Sequence, residues 1–212
     1  MMNFRDKYNK EMNSKEWIKY ISSQEFTQDE LCWLYCCGFI WRRLLIDIEN
    51  LPAVTKAVLD KGLDPNHLVT EEPPSEVPED NYYESPMICA TRIKDDAAAA
   101  ASLKLLLEHG GDPNTVHDFE SPRENILEFY VEDEFVHGPD LPGAVFYGLL
   151  LCAAYGGKYK NGYSPFTMLI DMPISVFKDY NSYWYEYEES GDYDITLYVI
   201  EKETGRRVAR YH

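Results

Sequence analysis

Two stretches of this chain end alike: "VLDKGLDPN" at residues 58–66 and "LLEHGGDPN" at residues 106–114. Each runs from apolar residues through polar ones to a glycine, then to Asp-Pro-Asn. A helix that meets glycine can close there, because glycine accepts the left-handed conformation at low steric cost. Proline then forbids continuation, and Asp and Asn are suited to bonding the turn's own backbone. The spacing predicts a helix ending at Gly62, with Val54, Ala57, Val58 and Leu59 as its apolar stripe. A second helix ends at Gly110, with Leu103, Leu106 and Leu107 on its stripe.

Helix starts are equally legible. In "EMNSKEW", Asn13 is placed to cap with Glu16 three residues on, and Met12 to pack against Trp17; "EFTQDEL" repeats the device with Thr27, Glu30 and the pair Phe26 and Leu31. The second start predicts one helix of about twenty residues, Gln28 to Asp47, apolar on nearly every face and so covered on several sides. Its most apolar part, Leu31 to Trp41, is about half the length a membrane span requires, and Arg42 and Arg43 close it. Ser-Pro recurs as Ser85-Pro86, Ser121-Pro122 and Ser164-Pro165. Serine at the cap and proline at the first helical position form a helix start, since proline lacks the amide that would go unbonded.

A unit that begins Ser-Pro-helix and ends helix-Gly-Asp-Pro-Asn is a helix-turn-helix repeat. "ESPMICATRIKDDAAAAASLKLLLEHGGDPNT", residues 84–115, resembles an ankyrin repeat: Ser85-Pro86-Met87 stands where that family has Thr-Pro-Leu. Ala90 takes the place of its small helix-contact residue, and Leu106-Leu107 with Gly110, Gly111, Asp112 and Asn114 that of its Leu-Leu and Gly-Ala-Asp-x-Asn ending. "DKGLDPN" resembles the end of a preceding repeat, and "NGYSPFTML", residues 161–169, the start of a later one. Departures are also plain. The family's helix-start His is replaced by Ile88 and Thr167, "KDDAAAAA" exceeds the family spacing, and the connections 67–84 and 132–144 are long.

The tail changes period. Residues 182–212 are rich in Tyr, Trp, Val, Ile and Thr, with Ile195, Leu197 and Val199 alternating, and turn residues at Ser190-Gly191-Asp192 and from Lys202 to Gly205. Three antiparallel strands are expected, with one face docked on the last helices. On the first strand Tyr183, Tyr185 and Tyr187 share one face, and Trp184, Glu186 and Glu188 the other. The expected fold is therefore mainly α, an ankyrin-like helix-turn-helix solenoid with a small C-terminal β meander. Residues 1–34 would form a helical cap, 35–181 about four irregular repeats, and 182–212 the meander.

Composition limits function. A net charge of −17 over 212 residues argues against nucleic acid or an anionic membrane as partner, since phosphate binding needs an excess of Lys and Arg. A basic protein is the charge-matched partner, although acidity also serves solubility alone. Five cysteines, Cys32, Cys36, Cys37, Cys89 and Cys152, lie in apolar segments, and no leader pattern precedes them, so a reducing cytoplasm is expected. Cys32 and Cys36 share a helical face that suits two zinc ligands, but no second Cys or His pair matches them, and buried thiols are the better reading. The glycines of "YGGKYKNG" fit no phosphate loop, and the chain holds no GxSxG, HExxH or Cys-x-x-Cys. No catalytic residue, metal or cofactor is expected. His109 reads as a helix-end hydrogen-bond donor or charge, and His67 as a turn residue.

What the resemblance implies is binding, through loops and first helices lining a concave surface. The candidate contact residues are Glu79, Asp80, Tyr82, Tyr83 and Glu84 on the connection 67–84, and Asp118, Phe119 and Glu120 on the connection 115–120. Carboxylates steer a basic partner and aromatic rings anchor it. The competing reading makes residues 71–80 a Pro/Glu-rich linker. The expected function is a non-enzymatic protein-binding module, monomeric when free, in its sharper form an immunity-type inhibitor of a basic toxin or nuclease. The alternative is a scaffold that leaves active sites open.

Overall fold

The computed structural model describes residues 11–41, 46–68, 85–91, 93, 95–115, 148, 151–158, 182–189 and 195–211. Both expected helix starts are present. Helix α1, Ser14–Ser23, is capped by Asn13, whose side chain accepts from the amide of Glu16 while Glu16 returns the bond to the amide of Asn13. Helix α2, Gln28–Trp33, repeats this box with Thr27 and Glu30. Met12 and Phe26, the residues just ahead of each box, pack against the core.

The single helix expected over 28–47 is not what forms. After Trp33 the chain continues as a π-helix, Leu34–Trp41, and Ile46 and Asp47 are outside any helix. Apolar residues on every side mark burial but carry no signal for the hydrogen-bond step, so the wider turn is invisible in the pattern. A 3₁₀ turn, Ile48–Asn50, leads into α3, Leu51–Asp60, with Pro52 in its first turn, where a missing amide costs nothing. Helix α4, Pro86–Thr91, starts at the expected Ser85, whose buried hydroxyl accepts from the amide of Ile88. Helix α5, Asp96–Glu108, is capped by Asp95. The alanine run 97–101 lies in its first turns, and Ala98, Ala99 and Ala100 are buried. The other two Ser-Pro starts lie outside the described residues.

The helices share one apolar core. Helix α1 packs on α3, α3 on α5, and α4 on both α5 and the π-helix. Trp17, Ile21, Val54, Val58, Leu103 and Leu106 are fully enclosed, each worth about 1.5–3 kcal/mol of transfer free energy relative to exposure. Inside this core sits a polar knot. Thr55 Oγ1 donates to the Leu51 carbonyl at 2.9 Å and lies 3.2 Å from Ser102 Oγ and 3.4 Å from Tyr35 Oη. Thr55, Ser102 and Tyr35 are all fully buried, so each depends on the others for the partners that water would supply.

Both predicted glycines close helices, Gly62 at φ 107° and Gly110 at φ 95°. The amide of Leu63 bonds the Val58 carbonyl and that of Gly62 the Leu59 carbonyl. Gly111 and Gly110 repeat this with Leu106 and Leu107. This 6→1 and 5→2 pair is the Schellman motif, which satisfies carbonyls a helix end leaves open. A third copy stands at Gly156, φ 89°, where Gly157 bonds Cys152 and Gly156 bonds Ala153, following helical residues 151–154.

Three strands follow as expected: β1, Tyr183–Glu189, β2, Ile195–Glu201, and β3, Arg206–Tyr211, antiparallel in the order β1-β2-β3. One extra residue of β3, Val208, lies between the pairs Ile200–Arg207 and Val199–Ala209, a β-bulge. Val199 is fully buried in the same apolar cluster as the helices, and Val208 packs against it. On the opposite face the exposed Glu186 and Glu188 are not left unpaired. Arg207 reaches both, at 3.5 and 2.6 Å, with its guanidinium 3.9 Å from the centre of the Tyr198 ring. That hydrogen bond to Arg207 holds the Glu188 carboxyl below the usual carboxylate range. The described chain is thus helix-rich with a small antiparallel sheet.

Candidate functional site

The eight expected contact residues, Glu79, Asp80, Tyr82, Tyr83, Glu84, Asp118, Phe119 and Glu120, lie outside the described residues. What the structure describes is how the two segments bearing them are rooted. Each Asp-Pro-Asn turn puts its aspartate in solvent and buries its proline. Asp64 Oδ1 accepts from the amide of Asn66, and Asp112 Oδ1 from that of Asn114, both at 2.9 Å. The aspartates therefore bond their own turns, as the sequence reading expected.

The asparagines do something else. Asn66 Nδ2 donates to the carbonyl of Gly110 at 2.9 Å while its Oδ1 accepts from the amide of Asp112 at 2.7 Å. Asn114 repeats the pair one turn later, donating to the Gly156 carbonyl at 3.2 Å and accepting from Lys158 at 2.8 Å. At the other end Gln28, the first residue of α2, donates to the Gly62 carbonyl and accepts from the amide of Asp64. Three carboxamides thus form a ladder across three turns. A primary amide suits the task because it alone offers a donor and an acceptor side by side, the complement of a backbone C=O and N–H.

The ladder fixes the chain where the long connections begin. Residue 66 is a rung, and at residue 67 His67 Nε2 donates to Asp29 Oδ1, 2.5 Å away on the first turn of α2. His67 is thus more than the turn residue it was read to be: it ties the start of the first connection to α2. The far end of that connection runs into Ser85, the cap of α4. The second connection leaves just past Asn114. Both connections therefore leave from adjacent rungs.

His109 Nδ1 donates to the Leu105 carbonyl at 2.8 Å, a helix-end bond. All five cysteines are buried and none is in a disulfide. Cys32 Sγ and Cys36 Sγ lie 3.9 Å apart, and burial, helped by contact with the thiols of Cys32 and Cys89, pushes the Cys36 thiol well up. Burial does the same to Cys152 and to the Tyr35 hydroxyl. Thiols held protonated in an apolar core are inert. Among the described residues no group of three or more His, Cys, Asp or Glu has the geometry to hold a metal ion, and no helix is long and apolar enough to cross a membrane.

Comparison with protein-family models, with curated proteins and with solved structures found no match. The third turn went unread in the sequence. At Gly156-Gly157 the next residue is Lys158, not aspartate, and Asp-Pro-Asn is missing. The usable signal was the doubled glycine behind "LLLCAAY", which parallels Gly110-Gly111 behind "LLLEH".

Proposed function

We propose that this chain is an irregular ankyrin-like array, with residues 1–34 as its cap, 35–181 as repeats and 182–212 as a β cap, and that it works as a non-enzymatic protein-binding module. The observation that carries this reading is the carboxamide ladder. Closely alike helix-closing turns, bonded one to the next, are what a stacked array requires, since each unit of such an array is stable only against its neighbour. The connections rooted on adjacent rungs carry the acidic and aromatic residues set to grip a partner.

The partner proposed is a basic protein, and the sharper form of the reading is an immunity-type inhibitor that covers the nucleic-acid surface of a basic toxin or nuclease. Net charge of −17 supports it through steering: opposite charge speeds encounter, and salt slows it. Five buried cysteines, none in a disulfide, fit work in a reducing compartment such as the cytoplasm.

The test is capture of partners from the native organism, followed by stopped-flow kinetics across a salt series. The on-rate should fall steeply as salt rises, and combined Glu79→Gln, Asp80→Asn and Glu84→Gln should lower it further. Tyr82→Ala and Tyr83→Ala should instead raise the off-rate, by about tenfold or more each if the rings are anchors. If all five leave both rates unchanged, the first connection is a linker. If the captured protein is a nuclease, a stoichiometric amount of this chain should stop its cleavage of DNA; tight binding with cleavage intact would favour a scaffold.

A further inference from the structure

The π-helix Leu34–Trp41 continues α2 without interruption. Its turns close between residues five apart, a step normally confined to a single turn inside an α-helix and often found at functional positions. Nothing within the segment "LYCCGFIW" enforces that step: it holds no proline, and the α-helix leading into it has a complete capping box. Contacts made by its side chains can set the step.

Three such contacts are fixed. The Tyr35 hydroxyl lies 3.4 Å from Thr55 Oγ1 on α3 and also meets the Ser102 hydroxyl on α5, which Thr55 bonds in turn. Cys36 meets Cys32 within its own helix and Cys89 on α4. Phe39 stands edge-on to Trp17 of α1, with ring centres 5.3 Å apart. Thiol and ring contacts are dispersive and tolerate a small rotation. The hydroxyl contact is directional, and it is made in a fully buried place where the phenol has no water to turn to.

We propose that the contact of Tyr35 with Thr55 and Ser102 selects the π register of Leu34–Trp41, and that without it the segment relaxes to the α register that α2 begins. The consequence reaches two places. Phe39 leaves the face of Trp17, and Cys36 leaves Cys89. Cys89 is one turn from Ser85, with its amide bonded to the Ser85 carbonyl, so the change is felt where the first long connection meets α4. This inference does not rest on the binding function.

The experiment is Tyr35→Phe in the full chain, read by NMR through scalar couplings across backbone hydrogen bonds. The wild type should show amides of this segment coupled to carbonyls five residues back, and the variant to carbonyls four residues back, with a loss of the near-ultraviolet dichroism of Trp17. Thr55→Val combined with Ser102→Ala, which removes the partners and keeps Tyr35, should give the same change. Thr55→Ser, which keeps the hydroxyl, should hold the π register. Couplings that stay five residues back in the first two variants, with only a loss of stability, overturn the proposal; so does a change of register in Thr55→Ser. Failure of both hydroxyl-removing variants to fold overturns it too, since the contact would then support the fold without choosing a register.

Discussion

The turns at Gly62 and Gly110 share a backbone and differ in what stands behind the glycine. In the first, Leu63 follows and its side chain is buried at 4% exposure. In the second, Gly111 follows, and a Cβ there would lie 2.6 Å from Met87 Sδ and 2.9 Å from the Leu106 carbonyl oxygen. The same Schellman geometry thus has its apolar contact supplied in two ways: by the residue after the glycine in one turn, by Met87 of α4 in the other. Equivalent backbone does not require equivalent packing. At Gly111 Met87 fills the room a methyl group would take.

Exchanging side chains tests this division. Leu63→Ala should show the largest effect, about 2–5 kcal/mol in a urea melt, because a buried leucine is replaced by a cavity. Gly111→Ala should cost less, about 1–3 kcal/mol, by overpacking. The Met87 thioether can swing aside, but the Leu106 carbonyl cannot, since it accepts the Gly111 amide at 2.9 Å. Gly111→Ala in a Met87→Ala background should therefore recover only part of its loss. A full recovery would assign the whole clash to Met87.

Gly62→Ala and Gly110→Ala come next and should match each other. Neither glycine has an atom within 4 Å of a built Cβ, so only the left-handed backbone is penalised, by about 1–2 kcal/mol. Unequal losses in the two variants would mean that the turns differ in backbone as well as in packing.

Local chemistry decided what could be read from the sequence. Capping boxes, glycine stops, Ser85-Pro86 and the alternation of the tail each act within a few residues, and each was legible. The π-helix was not, because Tyr35 meets Thr55 and Ser102 only once the chain has folded. Nor were the rungs: asparagine after Asp-Pro looks like a residue serving its own turn, as Asp64 and Asp112 do, while Asn66 and Asn114 reach the next. The third turn was hidden by Lys158 in the place of aspartate. The alternation of β1 put Glu186 and Glu188 on one face but carried no sign that Arg207, two strands away, takes both. Of the candidate site, the roots are described and the contact residues are not.

The smallest expected effects belong to the rungs, and they sharpen the comparison most. Asn66→Ala removes two bonds to the second turn, and Asn114→Ala removes two to the third. Both asparagines are near the surface, where water replaces much of what is lost, so each should cost about 1 kcal/mol. Stability alone would hardly separate them. Location will: hydrogen exchange should speed up at the Asp112 amide in Asn66→Ala and at the Lys158 amide in Asn114→Ala, because each amide loses its carboxamide acceptor. Asn→Asp at either rung keeps the acceptor for the amide and sets an oxygen against the glycine carbonyl, so the amide should stay protected while stability still falls. If Asn66→Ala instead speeds exchange at both amides alike, the turns open together and the ladder is one cooperative unit. If each variant affects only its own amide, the rungs are separate clasps, and the roots of the two connections are held independently.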